Sequence, residues 1–340
     1  MMIRGHLGCV RQGWAKAAIG CLMILAILSS MRCRAQECQA ASEMDAAVRS
    51  AMERAAQQYF QMAAQGDVGS LRQNAIPSVA DNFNSIAGAV LDNKPNLAGA
   101  TATTRGSYLL LAPGNAPLTR AEFFCGIFNS PNRVSFVISS LPSGRYGVVI
   151  QDVKGGKQAE SLSFVLQEVG GSWKLGGLYI RFTEAGGHDA KWYLERAKQF
   201  KSKGQMHNAW FYYQEALNLQ EPVPFMSTGY LDRIFEEAEA VKPADLPGDQ
   251  AMQLNAPGGK TYSVTKLATA YFGDNLELEM TYSASDVSNR SAVYADNLAA
   301  IKALVTKYPE LRDGFGEVVA RAVTPAGQDY GTAMAIKDVK

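Results

Sequence analysis

From Thr103 to Phe182 short β-type runs alternate with turn residues, and this punctuation limits the fold more than any other feature of the 340-residue chain. The runs "GSYLLLA", "AEFFCGIF", "RVSFVISSL", "RYGVVIQDV", "ESLSFVLQEV" and "SWKLGGLYIRF" are split by "APGNAP", "NSPN", "PSG", "KGGK" and "GGS". Gly, Pro and Asn at such breaks favour tight turns, and β-branched and aromatic residues between them favour strands, so an antiparallel meander is expected. Upstream, Met44, Val48, Ala51, Ala55, Tyr59 and Met62 recur at spacings of three and four, which predicts a helix stopped at Gly66. "DVGSLRQNAI" and "SVADNFNSIAGAVL" read as shorter helices parted by Pro77. Helices followed by a meander predict an α+β domain with its helices on one face of a curled sheet.

Two patterns carry a family resemblance. One is the helix end "YFQMAAQGDVGSL", where an aromatic helix runs through Gly-Asp into a second helix. The other is "SFVLQEVGGSWKLGGLYI", a strand, a Gly-Gly turn and a strand opened by Trp-Lys. In these the chain resembles the NTF2-like (cystatin-like) superfamily over residues 43–182. The resemblance implies a bent sheet wrapped by helices around a conical apolar pocket. Some relatives are isomerases or dehydratases and others only bind ligands or partners, so the fold leaves function open. Walls of such a pocket would come from Tyr59, Phe124, Phe136, Tyr146, Trp173 and Tyr179, with Arg181 placed by alternation with Tyr179 to meet an anionic ligand. The alternative is that these aromatics close the core.

Beyond "EAGGHD", Tyr193, Ala197 and Phe200 share one helical face, Gly204 breaks the pattern, and Met206, Ala209, Tyr213, Ala216 and Leu217 form a second stripe ended by Pro222 and Pro224. Ala197, Phe200, Gly204, Ala209, Tyr213 and Ala216 give this hairpin the look of a single tetratricopeptide unit, with Arg196 standing where that repeat has a leucine. One unit cannot bury its own face, so it must lean on a neighbour. Trp210, Phe211 and Tyr212 adjoin the stripe and need a second surface, either a docking contact within the chain or a partner-binding aromatic patch. The helix "STGYLDRIFEEAEAV" would cap the hairpin. The expected organisation is thus an NTF2-like α+β domain at 42–185, a tetratricopeptide-like segment at 186–241, a Pro/Gly-rich linker at 242–259 and a ββαββ unit of α+β class at 260–340.

The N-terminus reads separately. Arg4, Arg11 and Lys16 precede the uncharged run "AAIGCLMILAILSS", which is short for a membrane span. Residues 1–35 therefore read as a secretory signal, with cleavage after Ala35 or Ala40, and an uncleaved N-terminal anchor is the alternative. Export removes Cys9, Cys21 and Cys33 and leaves Cys38 and Cys125. In an oxidising compartment these two either pair or leave Cys125 as a small buried residue.

Catalytic and cofactor patterns are missing. His188 and His207 lack metal-ligand spacing, so no metal is expected. Gly259-Lys260-Thr261 resembles the tail of a phosphate loop, but Leu254 stands where its first glycine belongs. Asp67, Asp81, Asp152 and Glu168 sit near element ends, where caps and turns account for them. The net charge of +1 and the absence of a basic run interleaved with aromatics disfavour nucleic acid. The expectation is an exported, non-catalytic envelope protein without a cofactor. It would bind a protein or a small apolar ligand, and would touch a membrane only through an uncleaved signal. The alternative is a pocket enzyme of isomerase or dehydratase type. Cell fractionation checks the export step: the chain is expected outside the cytosol without its first 35 residues, and full-length chain in the cytosol would refute it.

Overall fold

The structure, a computed structural model, describes residues 36–127, 130, 133–272 and 275–339. Residues 1–35, read from the sequence as a signal, and the turn residues Gly273 and Asp274 lie outside the described residues.

A short strand β1 (Glu37–Ala40) leads into four helices, α1 (Ala46–Gln65), α2 (Val68–Gln73), α3 (Pro77–Ala80) and α4 (Asn84–Leu97). Asp45 caps α1 by accepting from the amides of Ala47 and Val48. Gly66 ends it at φ 70°, donating its amide to the carbonyls of Met62 and Ala63. The buried face of α1 is Met52, Ala56, Tyr59, Phe60 and Ala63, whereas Val48, Ala51, Ala55 and Met62 are only partly buried. The predicted stripe is therefore rotated around the helix. Both arcs are apolar, and the one carrying Met52 and Phe60 removes more area from water.

Strands β2 (Thr101–Ala112), β3 (Leu118–Cys125), β4 (Val134–Leu141), β5 (Gly144–Lys154), β6 (Glu160–Val169) and β7 (Ser172–Phe182) follow. They do not form the single curled sheet expected from the sequence. One antiparallel sheet has the order β1-β2-β5-β6-β7, while β3 and β4 leave it for a second sheet. The helices cover one face of the large sheet, on Val149, Leu162, Phe164, Leu166 and Leu175. The small sheet covers the other, with Phe123, Phe136 and Leu141 packed on Leu110, Val148 and Ile150. The region is an α/β/β sandwich with one core on each face of the large sheet.

The chain continues through β8 (Glu184–Ala185), β9 (His188–Asp189), α5 (Ala190–Ser202), α6 (Met206–Gln220), β10 (Met226–Thr228) and α7 (Gly229–Glu239). Strand β10 returns to the sandwich and pairs antiparallel with β4, completing the order β10-β4-β3. The remainder is β11 (Met252–Asn255), β12 (Thr261–Phe272), β13 (Asn275–Ser283), α8 (Arg290–Lys307), α9 (Leu311–Gly314), β14 (Glu317–Val323) and β15 (Asp329–Ala335), closed by a 3₁₀ turn at Ile336–Asp338. This sheet runs β11-β12-β13-β14-β15, and only the β13/β14 pair, bridged by the α8 crossover, is parallel. Strand β11 falls in the stretch read as a linker. Met252 and Leu254 are buried there and pair with Val264 and Tyr262, an alternation hidden among prolines and glycines. The hairpin α5–α6 shares one continuous core with this sheet, from Phe200, Ala209 and Tyr213 through to Tyr262, Leu278, Ile301 and Val318.

Cys38 and Cys125 form a disulfide between β1 and β3, with a Cα–Cα separation of 5.0 Å and a sequence separation of 87. In the chain-entropy model a loop of that length contributes about 4–5 kcal/mol. Cleavage after Ala40 would discard β1 and Cys38, whereas cleavage after Ala35 keeps both. N-terminal sequencing of the mature protein is accordingly expected to begin at Gln36, with no thiol reactive under native oxidising conditions. A mature chain starting at Ala41, or two free thiols, would contradict the arrangement.

Candidate functional site

Pro222 and Pro224 end α6 and carry the chain across to β4. The amide of Val137 donates to the Phe225 carbonyl at 2.9 Å, and Met226, Ser227 and Thr228 then pair with Phe136, Ser135 and Val134. Thr228 caps α7 by accepting from the Leu231 amide at 3.1 Å. In the first turn of α7, Asp232 forms an ion pair with Arg133 and accepts from the Ser227 hydroxyl. The start of α7 is thereby fixed beside the small sheet at both its backbone and its side chains.

Between these elements lies a cleft of about 570 Å³. Its floor is Ser135, Val137, Phe225 and Met226; one wall is Leu217, Asn218 and Glu221 of α6; the other is Leu231, Asp232 and Phe235 of α7. Phe235 stands 53% exposed at the rim. Burial pushes the Glu221 carboxyl up, partly offset by the positive charge of Arg181. A smaller recess of about 210 Å³, lined by Arg105, Tyr108, Gln220 and Thr228, shares Met226 and Leu231 with the cleft. The arrangement offers a slot lined about equally by apolar side chains and by hydroxyl, amide and carboxyl groups. Such a site suits an apolar body with a few hydrogen-bonding groups.

The residues expected to wall one pocket are distributed over three surfaces. Tyr59 and Trp173 lie in the core under the helices, where the Tyr59 hydroxyl donates to the Trp173 carbonyl at 2.8 Å. Phe136, Tyr146 and Tyr179 belong to the other face of the large sheet. Phe124 is 54% exposed, because Ala121, Phe123 and Cys125 take the inward positions of β3 and leave Phe124 outward. Phe136 and Tyr179 nevertheless support the cleft from below, their rings 6.4 and 5.7 Å from that of Phe225. Arg181 acts on Glu221 from the same side. Sequence reasoning missed the cleft itself. Its one signal was "EPVPFMSTG", two prolines and a β-type pair before a Thr-capped helix.

Two of the three hairpin aromatics, Phe211 and Tyr212, meet their second surface within the chain. Phe211 and Tyr212 are buried against Phe315, 5.9 Å between centroids in both cases, and the Tyr212 hydroxyl donates to the Gly314 carbonyl at 2.5 Å. Trp210 is partly buried under the ammonium group of Lys242. His207 is held between Glu310 at Nδ1 (2.9 Å) and Asp245 at Nε2 (3.0 Å). Burial raises the Asp245 carboxyl, but hydrogen bonds from Tyr308 and His207 and the charges of His207 and Lys307 outweigh it and hold it below its ordinary value. His188 stacks on Trp192 at 3.7 Å. Among the described residues no group of three or more His, Cys, Asp or Glu side chains is placed to hold a metal ion.

Glu160 is 1% exposed beside Asn96 on the helix-covered side of the large sheet, and it lines none of the clefts described here. Burial raises its carboxyl, and Asn96 partly offsets the rise. No family model matches the chain, no curated protein matches it, and no solved structure matches it.

A carboxyl raised by burial binds its proton more tightly in the folded than in the unfolded chain, so its contribution falls as pH rises from the ordinary value through the raised one. Glu160→Gln is therefore expected to raise the melting temperature at neutral pH and to change it little near pH 4. A lower melting temperature at both would contradict a buried neutral carboxyl.

Proposed function

We propose that this chain is an exported binding or assembly protein, and that the cleft between the small sheet, α6 and α7 is where it takes its ligand. In this reading α1–α4 on the large sheet are the NTF2-like element and α5–α6 the tetratricopeptide-like hairpin. The ligand is an apolar molecule or an apolar segment of a partner protein, received beside the small sheet rather than under the helices. The supporting observation is Phe235, a large apolar side chain left half exposed on a wall whose neighbour Leu231 is buried. Among the described residues no helix is long and apolar enough to cross a membrane, so in this reading any anchoring falls to the N-terminal segment.

A second reading rests on Glu221, a carboxyl with a raised pKa lining a partly apolar slot, the setting in which a general acid of isomerase or dehydratase type operates. Titration with an apolar fluorescent probe tests the first reading. The oxidised protein is expected to bind it with saturation, and Phe235→Ala or Leu217→Lys to weaken it about tenfold, the loss of ~1.4 kcal/mol that one buried apolar contact supplies. Binding indifferent to both substitutions would contradict the site. Glu221→Gln leaves probe binding intact if the cleft only binds, and abolishes turnover if it catalyses.

A further inference from the structure

The C-terminal sheet has a second groove, of about 550 Å³, on the face turned away from α8 and the hairpin. Along β13 and β14, Leu278, Met280, Val318, Ala320 and Ala322 point into the shared core, so Glu277, Glu279, Glu317, Val319 and Arg321 fall on the opposite face and line the groove. Its floor is low because Gly331 and Ala333 of β15 stand opposite Arg321 and Val319. Tyr271 of β12, 40% exposed, forms part of its rim.

The charges on this face are unbalanced in one place. Arg321 is engaged by Asp329 and Glu279. Glu277 and Glu317, by contrast, stand directly opposite each other on neighbouring strands. Among the described residues neither forms an ion pair with a cation. Glu277 is only 5% exposed, and the partner of its carboxyl is the Glu317 carboxyl, with which it shares a hydrogen bond. Like charges opposite each other in a sheet destabilise it, so the two acids sit together by holding a proton between them. A local conflict of this kind, kept on an uncovered and grooved face, is what a binding site for a complementary charge looks like.

We infer that the groove docks the cationic side chain of a partner, a lysine or arginine in a basic peptide segment, with its charge between Glu277 and Glu317. The apolar floor of Val319 and Ala333 suits the alkyl stem of such a side chain. Two facing carboxylates give a cation a bidentate seat but fall short of a metal-ligand set. Burial and the Glu317 carboxylate push the Glu277 carboxyl up to about 7. The pair therefore holds a proton near neutral pH, which an arriving cation displaces. Glu279, Glu317, Arg321 and Tyr271 are the charged and titratable groups lining the groove with Glu277.

Isothermal titration of the oxidised protein with a blocked tri-arginine peptide at low salt tests this inference. Saturable one-to-one binding is expected, tighter at pH 8 than at pH 6. Glu277→Gln and Glu317→Gln are each expected to weaken it at least tenfold, while Asp92→Asn, on the exposed face of α4, leaves it unchanged. Because Glu277→Gln removes a repulsion, its melting temperature is expected to equal or exceed that of the parent protein, so loss of binding will not reflect unfolding. Absence of saturable binding, or equal affinity in all three variants, would overturn the inference.

Discussion

The return of the chain from α6 to the small sheet is the constraint on which the rest of the structure depends. Three residues of β10 pair with β4, and the Arg133–Asp232 ion pair with the Ser227 hydroxyl fixes the helix that follows. Three backbone pairs are too few to hold a strand alone, because each net hydrogen bond contributes only about 1 kcal/mol. The prolines at 222 and 224 limit the unfolded freedom of the crossing, and Val223, Phe225 and Met226 seat it in the second core of the sandwich. Because α6 at the other end of the crossing belongs to the core of the C-terminal sheet, this contact joins the two halves of the molecule and leaves the cleft between them.

The buried carboxyls show how the fold treats charge. Glu160 sits beside Asn96, Glu215 accepts from Thr269 at 2.7 Å, and Glu277 faces another acid. Burial raises all three. Glu215 thus has a polar partner that joins α6 to β12 and acts as a structural contact, whereas both carboxyl oxygens of Glu160 are buried without a hydrogen-bond partner. Glu277 has an acid for its neighbour and a groove above it. Surroundings thus separate Glu215, a structural acid, from Glu277 more cleanly than burial alone.

Local features were legible in the sequence where one period or one residue type decides them. The α+β class, the six strands between 101 and 182, the stop at Gly66 and the break at Gly204 follow from turn chemistry and alternation. Sheet membership was not legible. Nothing in "AEFFCGIF" or "RVSFVISSL" says that these strands leave the meander, since alternation fixes which side chains point inward without naming the sheet they face. The exposure of Phe124 and the burial of Phe136 follow from that one unreadable choice. Phe211 and Tyr212 were legible as needing a surface, but Phe315, which supplies it, is over a hundred residues away. Strand β11 was masked by its setting, four residues between Pro247 and Pro257.

Hydrogen exchange on Asp232→Ala tests the central claim most directly. The account predicts that protection falls at the amides of Met226–Leu231 and at Val137, with the cleft loosening, while the C-terminal sheet and the helices on the large sheet keep their protection. Unchanged exchange at β10 and α7 would contradict the claim that this contact holds the crossing in place, as would a uniform loss across the whole chain.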